Sequence, residues 1–126
     1  MSAVVDTSAV IAILRAEAGA DVAAASSRGA MLSAVNLVEF RSKAMELGAD
    51  LDPAVALLSR LEIGIAPFTA AQAKVAADLW PMVRRKGVSL ADRACLALAI
   101  ERGAVLVTAD RAWAALGLDI DFVFIR

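Results

Sequence analysis

The chain has 126 residues, which is the usual length of one domain with a single hydrophobic core. Its 13 Lys and Arg residues and 14 Asp and Glu residues give a net charge of −1, so the whole molecule has no field that attracts polyanions. The single cysteine excludes an internal disulfide and a thiolate zinc site, and the chain contains no histidine. Carboxylates are therefore the main candidates for binding a metal ion.

The chain has a high apolar content for its size. Apolar residues make up 60% of it, so we expect some apolar surface to contact a partner or a second copy. No positively charged segment followed by an apolar stretch and a cleavage site opens the sequence. No apolar run approaches the roughly 18 residues that a membrane span requires. We therefore expect a cytoplasmic protein without a membrane partner.

Short apolar runs alternate along the chain with longer stretches of helical period. Gly48 and Gly103 follow two of the helical stretches, in the position that glycine favours after a helix. Pro81 lies inside another helical stretch, where we expect a kink or a break. In chain order, the predicted elements are a strand at 3–5, helices at 9–14 and 20–27, a strand at 31–32, helices at 36–47 and 53–61, a strand at 63–68, helices at 70–85 and 89–102, a strand at 104–107, a short helix at 111–116 and a strand at 120–124.

Strands that alternate with helices favour a parallel sheet, because each crossover between parallel strands places a helix against the sheet. The predicted fold class is α/β, a three-layer α/β/α sandwich with a central parallel sheet. The sequence contains no internal repeat, no low-complexity segment and no linker rich in Pro, Gly or Ser. We therefore predict one domain that covers residues 1–126.

Four acidic residues lie where predicted strands end or predicted helices begin. Asp6 and Asp110 follow or close strand runs, and Asp92 lies at the start of a helix. Glu39 comes three residues after Asn36, so the two share one helix face near the top of the second strand. Ligands of open parallel sheets bind beyond the carboxyl ends of the strands, so we expect the four carboxylates to converge on one rim. Clustered carboxylates bind hard cations such as Mg²⁺ or Mn²⁺ through oxygen.

Each of these acidic residues also has a purely structural alternative. Asp6 and Asp110 can cap the helices that follow them, and Glu39 can face solvent on its helix. Asp92 forms a Ser-x-x-Asp pattern with Ser89, which is a variant of the capping box. We favour a shared role, because four separate caps have no reason to collect at the sheet ends of one small domain.

Four segments carry a resemblance to a known family. They are VVDTSAVIAIL at 4–14, AVNLVEF at 34–40, SLADRACLALA at 89–99 and VLVTADRAW at 105–113. Their order and spacing resemble those of PIN-domain ribonucleases and, more narrowly, of the VapC toxins of bacterial type II toxin–antitoxin modules. Each segment is short and degenerate, but together the four are specific and extend over nearly the whole chain.

The resemblance implies a metal-dependent endoribonuclease that uses Mg²⁺ or Mn²⁺. The catalytic and metal-binding acidic quartet of the family maps onto Asp6, Glu39, Asp92 and Asp110. Ser8 and Thr108 are implied to be polar neighbours of the site, and Asn36 is a further supporting residue because it shares a helix face with the quartet's glutamate. The resemblance also implies a homodimer, a cognate antitoxin and an RNA substrate, with DNA bound only through the antitoxin.

The chemistry of clustered carboxylates agrees with this assignment. Carboxylates that lie close together repel, so we expect a raised pKa in at least one of them until a cation binds. We assign Asp6, Asp92 and Asp110 to the metal, and Glu39 to a second metal ion or to orienting the attacking water. Water as the nucleophile fits a chain without histidine, because activation of a 2′-hydroxyl needs an acid and a base of near-neutral pKa.

Arginines next to the quartet are candidates for contacts with RNA phosphates. We predict this role for Arg93 and Arg111, whereas the basic run at 84–86 has solubility as its default interpretation. An apolar helix face is predicted to bind the antitoxin, with ordinary core packing as the alternative. That face consists of Val10, Ile11, Ile13 and Leu14.

Two other functions fit the same carboxylates. A metal-dependent phosphatase of small phosphate esters would use the same quartet, so only assays of both substrates separate it from a nuclease. A non-catalytic receiver-like module also binds Mg²⁺ with carboxylates at strand ends. That module needs an acidic pair after the first strand and a lysine after the last, whereas Asp6 stands alone and residues 124–126 contain no lysine.

Overall fold

A central sheet of five parallel strands organises the computed structural model, which describes residues 2–126. In chain order, the strands are β1 (Ala3–Val5), β2 (Met31–Ser33), β3 (Gly64–Ala66), β4 (Val105–Thr108) and β5 (Phe122–Phe124). They lie side by side in the order β3-β2-β1-β4-β5. The central strand β1 pairs with β2 at Val4 and Met31, and with β4 at Val4 and Leu106.

Helices connect the strands. They are α1 (Thr7–Leu14), α2 (Ala20–Ser27), α3 (Ala34–Glu46), α4 (Leu51–Arg60), α5 (Ala70–Asp78), α6 (Trp80–Val83) and α7 (Leu90–Arg102). A 3₁₀ helix at Arg111–Ala115 follows β4. None of the helices within residues 2–126 is long and apolar enough to cross a membrane.

Neighbouring residues of β1 belong to two separate hydrophobic clusters. Val5 is buried in a cluster that includes Phe40 of α3. Val4 is buried in another cluster, with Leu96 of α7 and Trp113 of the 3₁₀ helix. Because successive side chains of a strand point to opposite faces, helices cover both sides of the sheet. The predicted α/β/α sandwich with a central parallel sheet is confirmed.

The predicted helix at 70–85 is interrupted where Pro81 led us to expect a kink or a break. Leu79 separates α5 from α6, and Pro81 lies in the first turn of α6. A proline is tolerated there, because the first N–H groups of a helix have no partner within the helix. The prediction of a break is confirmed.

The third strand is shorter than the predicted range of 63–68 and covers only Gly64–Ala66. The N–H of Ile63 donates to the carbonyl of Leu58 at 2.9 Å, so this residue closes the end of α4 instead of joining the sheet. Pro67 has no N–H to donate to a neighbouring strand. A local hydrogen bond at Ile63 and the missing backbone donor at Pro67 therefore shorten the strand.

The apolar face of α1 is part of the core. Val10 is fully buried and Ile11 is 7% exposed, and both belong to the hydrophobic cluster around β1. Ile13 and Leu14 are partly buried and pack against the same cluster. The alternative of core packing is therefore correct for Val10 and Ile11, and the prediction that they form an antitoxin-binding surface is wrong.

Candidate active site

The order of the strands reverses at β1. The chain builds β1, β2 and β3 towards one edge and then crosses to the other side of β1 to build β4 and β5. Such a reversal leaves a crevice at the carboxyl ends of the two central strands, where ligands of open parallel sheets bind. Asp6 follows β1 directly, and Asp110 comes two residues after the end of β4. Both side chains therefore start from the crevice between β1 and β4.

The carboxylate of Asp6 is buried and held by two hydroxyl groups. Its Oδ2 accepts hydrogen bonds from Ser8 Oγ at 2.6 Å and from Thr108 Oγ1 at 2.9 Å. The residue is only 4% exposed, and its side chain makes no capping hydrogen bond to α1. The structural alternative for Asp6, a side-chain helix cap, is therefore not present.

Burial raises the pKa of Asp6 to about 6. The hydrogen bonds from Ser8 and Thr108 lower this pKa, whereas the negative charges of Asp92 and Glu39 raise it further. Desolvation outweighs the two hydrogen bonds, because a charged carboxylate loses more solvation than two hydroxyl groups return. Asp6 is therefore a carboxylate whose ionised form lacks a compensating cation.

Asp92 completes the capping box of the N-cap residue Ser89 and also lies at the site. Its Oδ2 accepts from the Ser89 N–H at 2.9 Å, and its own N–H donates to Ser89 Oγ at 3.0 Å, so the predicted capping box is present. Burial raises the pKa of Asp92, the hydrogen bonds with Ser89 lower it, and the charges of Glu39 and Asp110 raise it. A cap and a metal ligand are compatible, because a carboxylate has two oxygens and several lone pairs.

Asp110 also has both features. Its Oδ1 accepts from the Ala112 N–H at 3.1 Å, which caps the 3₁₀ helix. Its N–H donates to Thr108 Oγ1 at 3.0 Å, so the hydroxyl that binds Asp6 also fixes the backbone of Asp110. The N–H of Ala109 donates to Ser8 Oγ at 3.0 Å in the same way. Ser8 and Thr108 thus join the ends of β1 and β4, as expected for supporting residues.

All four predicted carboxylates line one pocket with a volume of about 260 Å³. Three acidic residues of the quartet are half-buried, and only Asp6 is fully buried. The wall of the pocket also contains basic and apolar side chains. Its residues are Asp6, Thr7, Ser8, Ile11, Glu17, Glu39, Lys43, Asp92, Asp110 and Arg126.

Asn36 connects the helix that carries Glu39 to the start of α7. It is fully buried, and its Nδ2 donates to the Ala91 carbonyl at 3.2 Å. Its own carbonyl accepts from Thr7 Oγ1 at 3.2 Å. Asn36 does not line the pocket, so its position suits support of α3 against α1 and α7 instead of contact with a ligand.

The two arginines predicted to bind phosphate do not line the pocket. Arg93 donates to the Ala76 carbonyl at 3.1 Å and thereby connects α7 to α5. Arg111 donates to the Arg126 carbonyl oxygen at 2.9 Å, and its guanidinium lies 5.2 Å from the centre of the Phe124 ring. Both side chains are engaged with neighbouring protein groups.

Two other basic residues face the quartet. Lys43 lies one helical turn after Glu39, so the i, i+4 spacing of α3 was a signal that could have identified it. Arg126 donates to Glu17 Oε1 at 3.3 Å and to the Ala18 carbonyl at 3.0 Å. No local pattern links Arg126 to the acidic residues, because only the pairing of β5 with β4 brings it to the pocket.

The carboxylate oxygens suit a hard divalent cation, although the four carboxylates lie too far apart to bind one ion directly. Within residues 2–126, no three acidic side chains lie close enough together to hold an ion directly. Mg²⁺ keeps several waters and is usually bound through one or two carboxylates, so a wider ring of oxygen ligands is sufficient. The charges of the quartet still raise the pKa values of Asp6 and Asp92. The oxygen ligands present therefore fit a hydrated divalent cation.

Several solved structures share this fold at low sequence identity. A toxin–antitoxin complex from Klebsiella pneumoniae has a TM-score of 0.77 and 20% identity, over 99% of this chain and 98% of that one. DNA-bound VapBC from Salmonella typhimurium has a TM-score of 0.74 and 17% identity, over 100% and 99% of the two chains. Mycobacterium tuberculosis VapC20, a sarcin-ricin loop cleaving toxin, has a TM-score of 0.66 and 21% identity, over 93% and 96%. The TM-scores establish a shared fold.

The family assignment comes from the sequence. A search of curated proteins found no match. The sequence pattern of the PIN domain matches residues 3–118, which is nearly the whole chain. The resemblance that four short segments indicated is confirmed, and the chain belongs to the PIN-domain family.

Proposed function

We propose that the protein is a metal-dependent endoribonuclease and the toxin of a toxin–antitoxin module. The observation that carries this proposal is the convergence of Asp6, Glu39, Asp92 and Asp110 on one pocket at the strand-order reversal. Membership of the PIN-domain family supports it. Further support comes from the similar structures, which are toxin–antitoxin complexes and a toxin that cleaves the sarcin-ricin loop.

The proposed roles of the acidic residues follow from their surroundings. Asp6, Asp92 and Asp110 would hold Mg²⁺ or Mn²⁺, directly or through water, and Glu39 would bind a second ion or orient the attacking water. When bound, the metal supplies positive charge that stabilises the phosphate in the transition state and lowers the pKa of water. The hydroxyl groups of Ser8 and Thr108 hold Asp6 in one orientation, so little reorganisation is needed when substrate binds.

Lys43 and Arg126 are the proposed phosphate contacts at the pocket. Both line it beside the carboxylates, unlike Arg93 and Arg111. Arg126 is held between Glu17 and the Ala18 carbonyl, so its position is fixed before substrate arrives. A guanidinium suits this role, because it can donate two parallel hydrogen bonds to phosphate oxygens.

The proposed partners are a cognate antitoxin and a second copy of the toxin, with DNA bound only through the antitoxin. The Klebsiella pneumoniae and Salmonella typhimurium structures are toxin–antitoxin complexes, and the second of these is bound to DNA. Several large apolar side chains of this chain are exposed, as an interface requires. They include Val38, Met45, Leu47 and Leu90.

The test is cleavage of total RNA by purified protein in Mg²⁺, in Mn²⁺ and in EDTA, beside the Asp92→Asn variant. We expect discrete fragments only with metal and only with the unmutated protein. Release of phosphate from p-nitrophenyl phosphate, measured on the same preparation, separates the phosphatase alternative. Intact RNA in every lane, from folded and metal-bound protein, would exclude the ribonuclease.

A further inference from the structure

The strongest concentration of free positive charge lies outside the pocket. Residues 84–86 (Arg84, Arg85 and Lys86) are consecutive, exposed cations in a chain whose net charge is −1. Within residues 2–126, none of the three forms an ion pair with a carboxylate. Because these three cations are adjacent and have no carboxylate partner, they create a local positive field that the whole molecule lacks.

Two large apolar side chains adjoin these cations. Leu79 and Val83 anchor α6 in the core at 6% and 1% exposure, while Trp80 and Met82 between them are 51% and 44% exposed. The guanidinium of Arg84 lies 5.3 Å from the centre of the Trp80 ring, which is cation–π geometry. An exposed tryptophan is informative, because burying its large apolar surface would otherwise stabilise the fold.

We propose that the surface formed by Trp80, Met82, Arg84, Arg85 and Lys86, the basic–aromatic surface, binds a single-stranded segment of the RNA substrate. Proteins that hold single-stranded nucleic acid combine cations that follow the backbone with an aromatic ring on which a base stacks. Both components are present within seven consecutive residues, 80–86. This inference rests on the proposed function, because it specifies how the same pocket receives its substrate.

The basic–aromatic surface lies close to the proposed cleavage pocket along the chain. Lys86 precedes Ser89 by three residues, so their Cα atoms are at most about 11 Å apart even if the segment is fully extended. The Ser89 N–H in turn donates to the Asp92 carboxylate at 2.9 Å. An RNA strand with a phosphate in the pocket can therefore reach this surface within a few nucleotides.

Charge favours RNA over a second copy of the chain as the occupant. In a two-fold symmetric contact through this surface, the three cations would face the same cations of the partner. Like charges that lie opposite each other in an interface destabilise it. A polyanion has the opposite charge, and unpaired bases supply the flat faces that stack on an indole ring.

The first test measures the affinity of a 12-nucleotide single-stranded RNA without cleavage. The protein carries Asp92→Asn in EDTA, and binding is followed by the fluorescence anisotropy of a dye-labelled RNA, so the readout does not depend on Trp80 or Trp113. The triple variant Arg84→Ala, Arg85→Ala, Lys86→Ala should bind at least about tenfold more weakly. Its slope of log affinity against log salt should be about 2 units shallower, given about 0.7 per phosphate contact on a single strand.

The matched control removes three exposed cations elsewhere, through Arg28→Ala, Arg60→Ala and Arg102→Ala. Both triple variants lower the net charge by the same amount, so only a local contact makes them differ. Equal affinities and equal salt slopes in the two triple variants would overturn the proposal.

The second test separates base stacking from charge. Trp80→Leu keeps an apolar side chain but removes the ring. It should therefore weaken the binding of single-stranded RNA about tenfold and leave the slope of log affinity against log salt unchanged. Blunt duplex RNA should bind more weakly than the single strand. Unchanged affinity in Trp80→Leu would show that no base stacks on this ring and would contradict the proposal. Competition by polyglutamate as strong as that by RNA would show that the surface binds any acidic chain, and would also contradict it.

These binding assays do not depend on cleavage, so the two proposals can fail separately. If total RNA stays intact in Mg²⁺ but single-stranded RNA still binds this surface, the ribonuclease is excluded and the RNA-binding surface is retained. If RNA is cut but the surface variants bind and cut like the unmutated protein, only the surface is excluded.

Discussion

The buried carboxylate of Asp6 lowers the stability of the fold when it is ionised. Its carboxylate is 4% exposed and its pKa is raised to about 6, chiefly by burial. Perturbed pKa values of this kind cluster at functional sites, where a bound cation or substrate can stabilise the charge that the protein alone does not. In the proposed function, a bound divalent metal ion supplies the positive charge that stabilises ionised Asp6.

We predict that Asp6→Asn stabilises the metal-free protein at neutral pH. The pKa of Asp6 is about 6 in the folded state, against 3.8 for an ordinary aspartate, so the folded state binds this proton more readily than the unfolded state does. The contribution of Asp6 to stability is therefore present at low pH and is lost as pH rises through about 6. At pH 7.5 the ionised group costs about 3 kcal/mol, because a tenfold change in proton affinity corresponds to about 1.4 kcal/mol.

Urea unfolding in EDTA at pH 7.5 and pH 4 measures this effect. Asp6→Asn should exceed the unmutated protein in free energy of unfolding at pH 7.5, and the gap should nearly close at pH 4. A variant that is less stable than the unmutated protein at both pH values would contradict the prediction. RNA cleavage should be lost in the same variant, because the amide has no charge for the metal.

Asp92 combines a structural and a proposed chemical role, and two substitutions separate them. Asp92→Asn keeps an oxygen that can accept from the Ser89 N–H, so the capping box can form while the charge is lost. We expect the free energy of unfolding to change by at most about 0.5 kcal/mol, because the amide has the same shape and keeps the hydrogen bond from the Ser89 N–H. RNA cleavage should fall at least about a hundredfold, because the charge that would hold the metal is lost. Asp92→Ala should also lose the hydrogen bond that the Asp92 side chain accepts from the Ser89 N–H, at about 1 kcal/mol. Full cleavage by Asp92→Asn would refute the metal-site assignment.

At the scale of the elements, one glycine controls how the C-terminal segment approaches the pocket. Gly19 has φ +87° and precedes α2, and a Cβ at this position would overlap the carbonyl oxygen of Ile125. The next residue, Arg126, lines the pocket. The close approach of these two backbone segments therefore sets the position of a proposed phosphate contact.

We predict that Gly19→Ala destabilises the protein by several kcal/mol and lowers RNA cleavage. Gly29→Ala is the matched control, because Gly29 has φ +74° and a Cβ added there would meet no other atom within 4 Å. In both variants an alanine must adopt a left-handed conformation, which costs about 1–2 kcal/mol. Only in Gly19→Ala does the new Cβ also overlap the Ile125 carbonyl oxygen. Thermal melting measures both, and equal melting temperatures would contradict the close approach.

At the scale of the whole molecule, metal binding should stabilise the fold. A ligand that binds only the folded state, at 100 times its Kd, adds about 2.7 kcal/mol to stability. We expect Mg²⁺ or Mn²⁺ to raise the melting temperature at pH 7.5 and EDTA to reverse it. The increase should be smaller below pH 6, where a proton occupies Asp6, and smaller in Asp6→Asn. An equal increase in Asp6→Asn would place the ion elsewhere.

Much of the fold could be predicted from local patterns. Alternation of apolar runs and helical stretches predicted all five strands, and Pro81 predicted the break between α5 and α6. The ends of elements were less accurate, because they depend on single hydrogen bonds. Ser33 accepts from the Val35 N–H at 3.2 Å and starts α3 two residues before the predicted position.

The sequence by itself predicted the four acidic residues: Asp6, Asp92 and Asp110 lie beside a strand end or a helix start, and Glu39 lies in the second turn of α3. Only the tertiary structure decided which other groups join them. The parallel pairing of β1 with β4 brings Thr108 to Asp6 across 102 positions of chain, and burial there raises the pKa of Asp6. The same packing brings Arg126 to the pocket and engages Arg93 elsewhere. Such convergence depends on strand order and side-chain direction, which no local pattern of residues encodes.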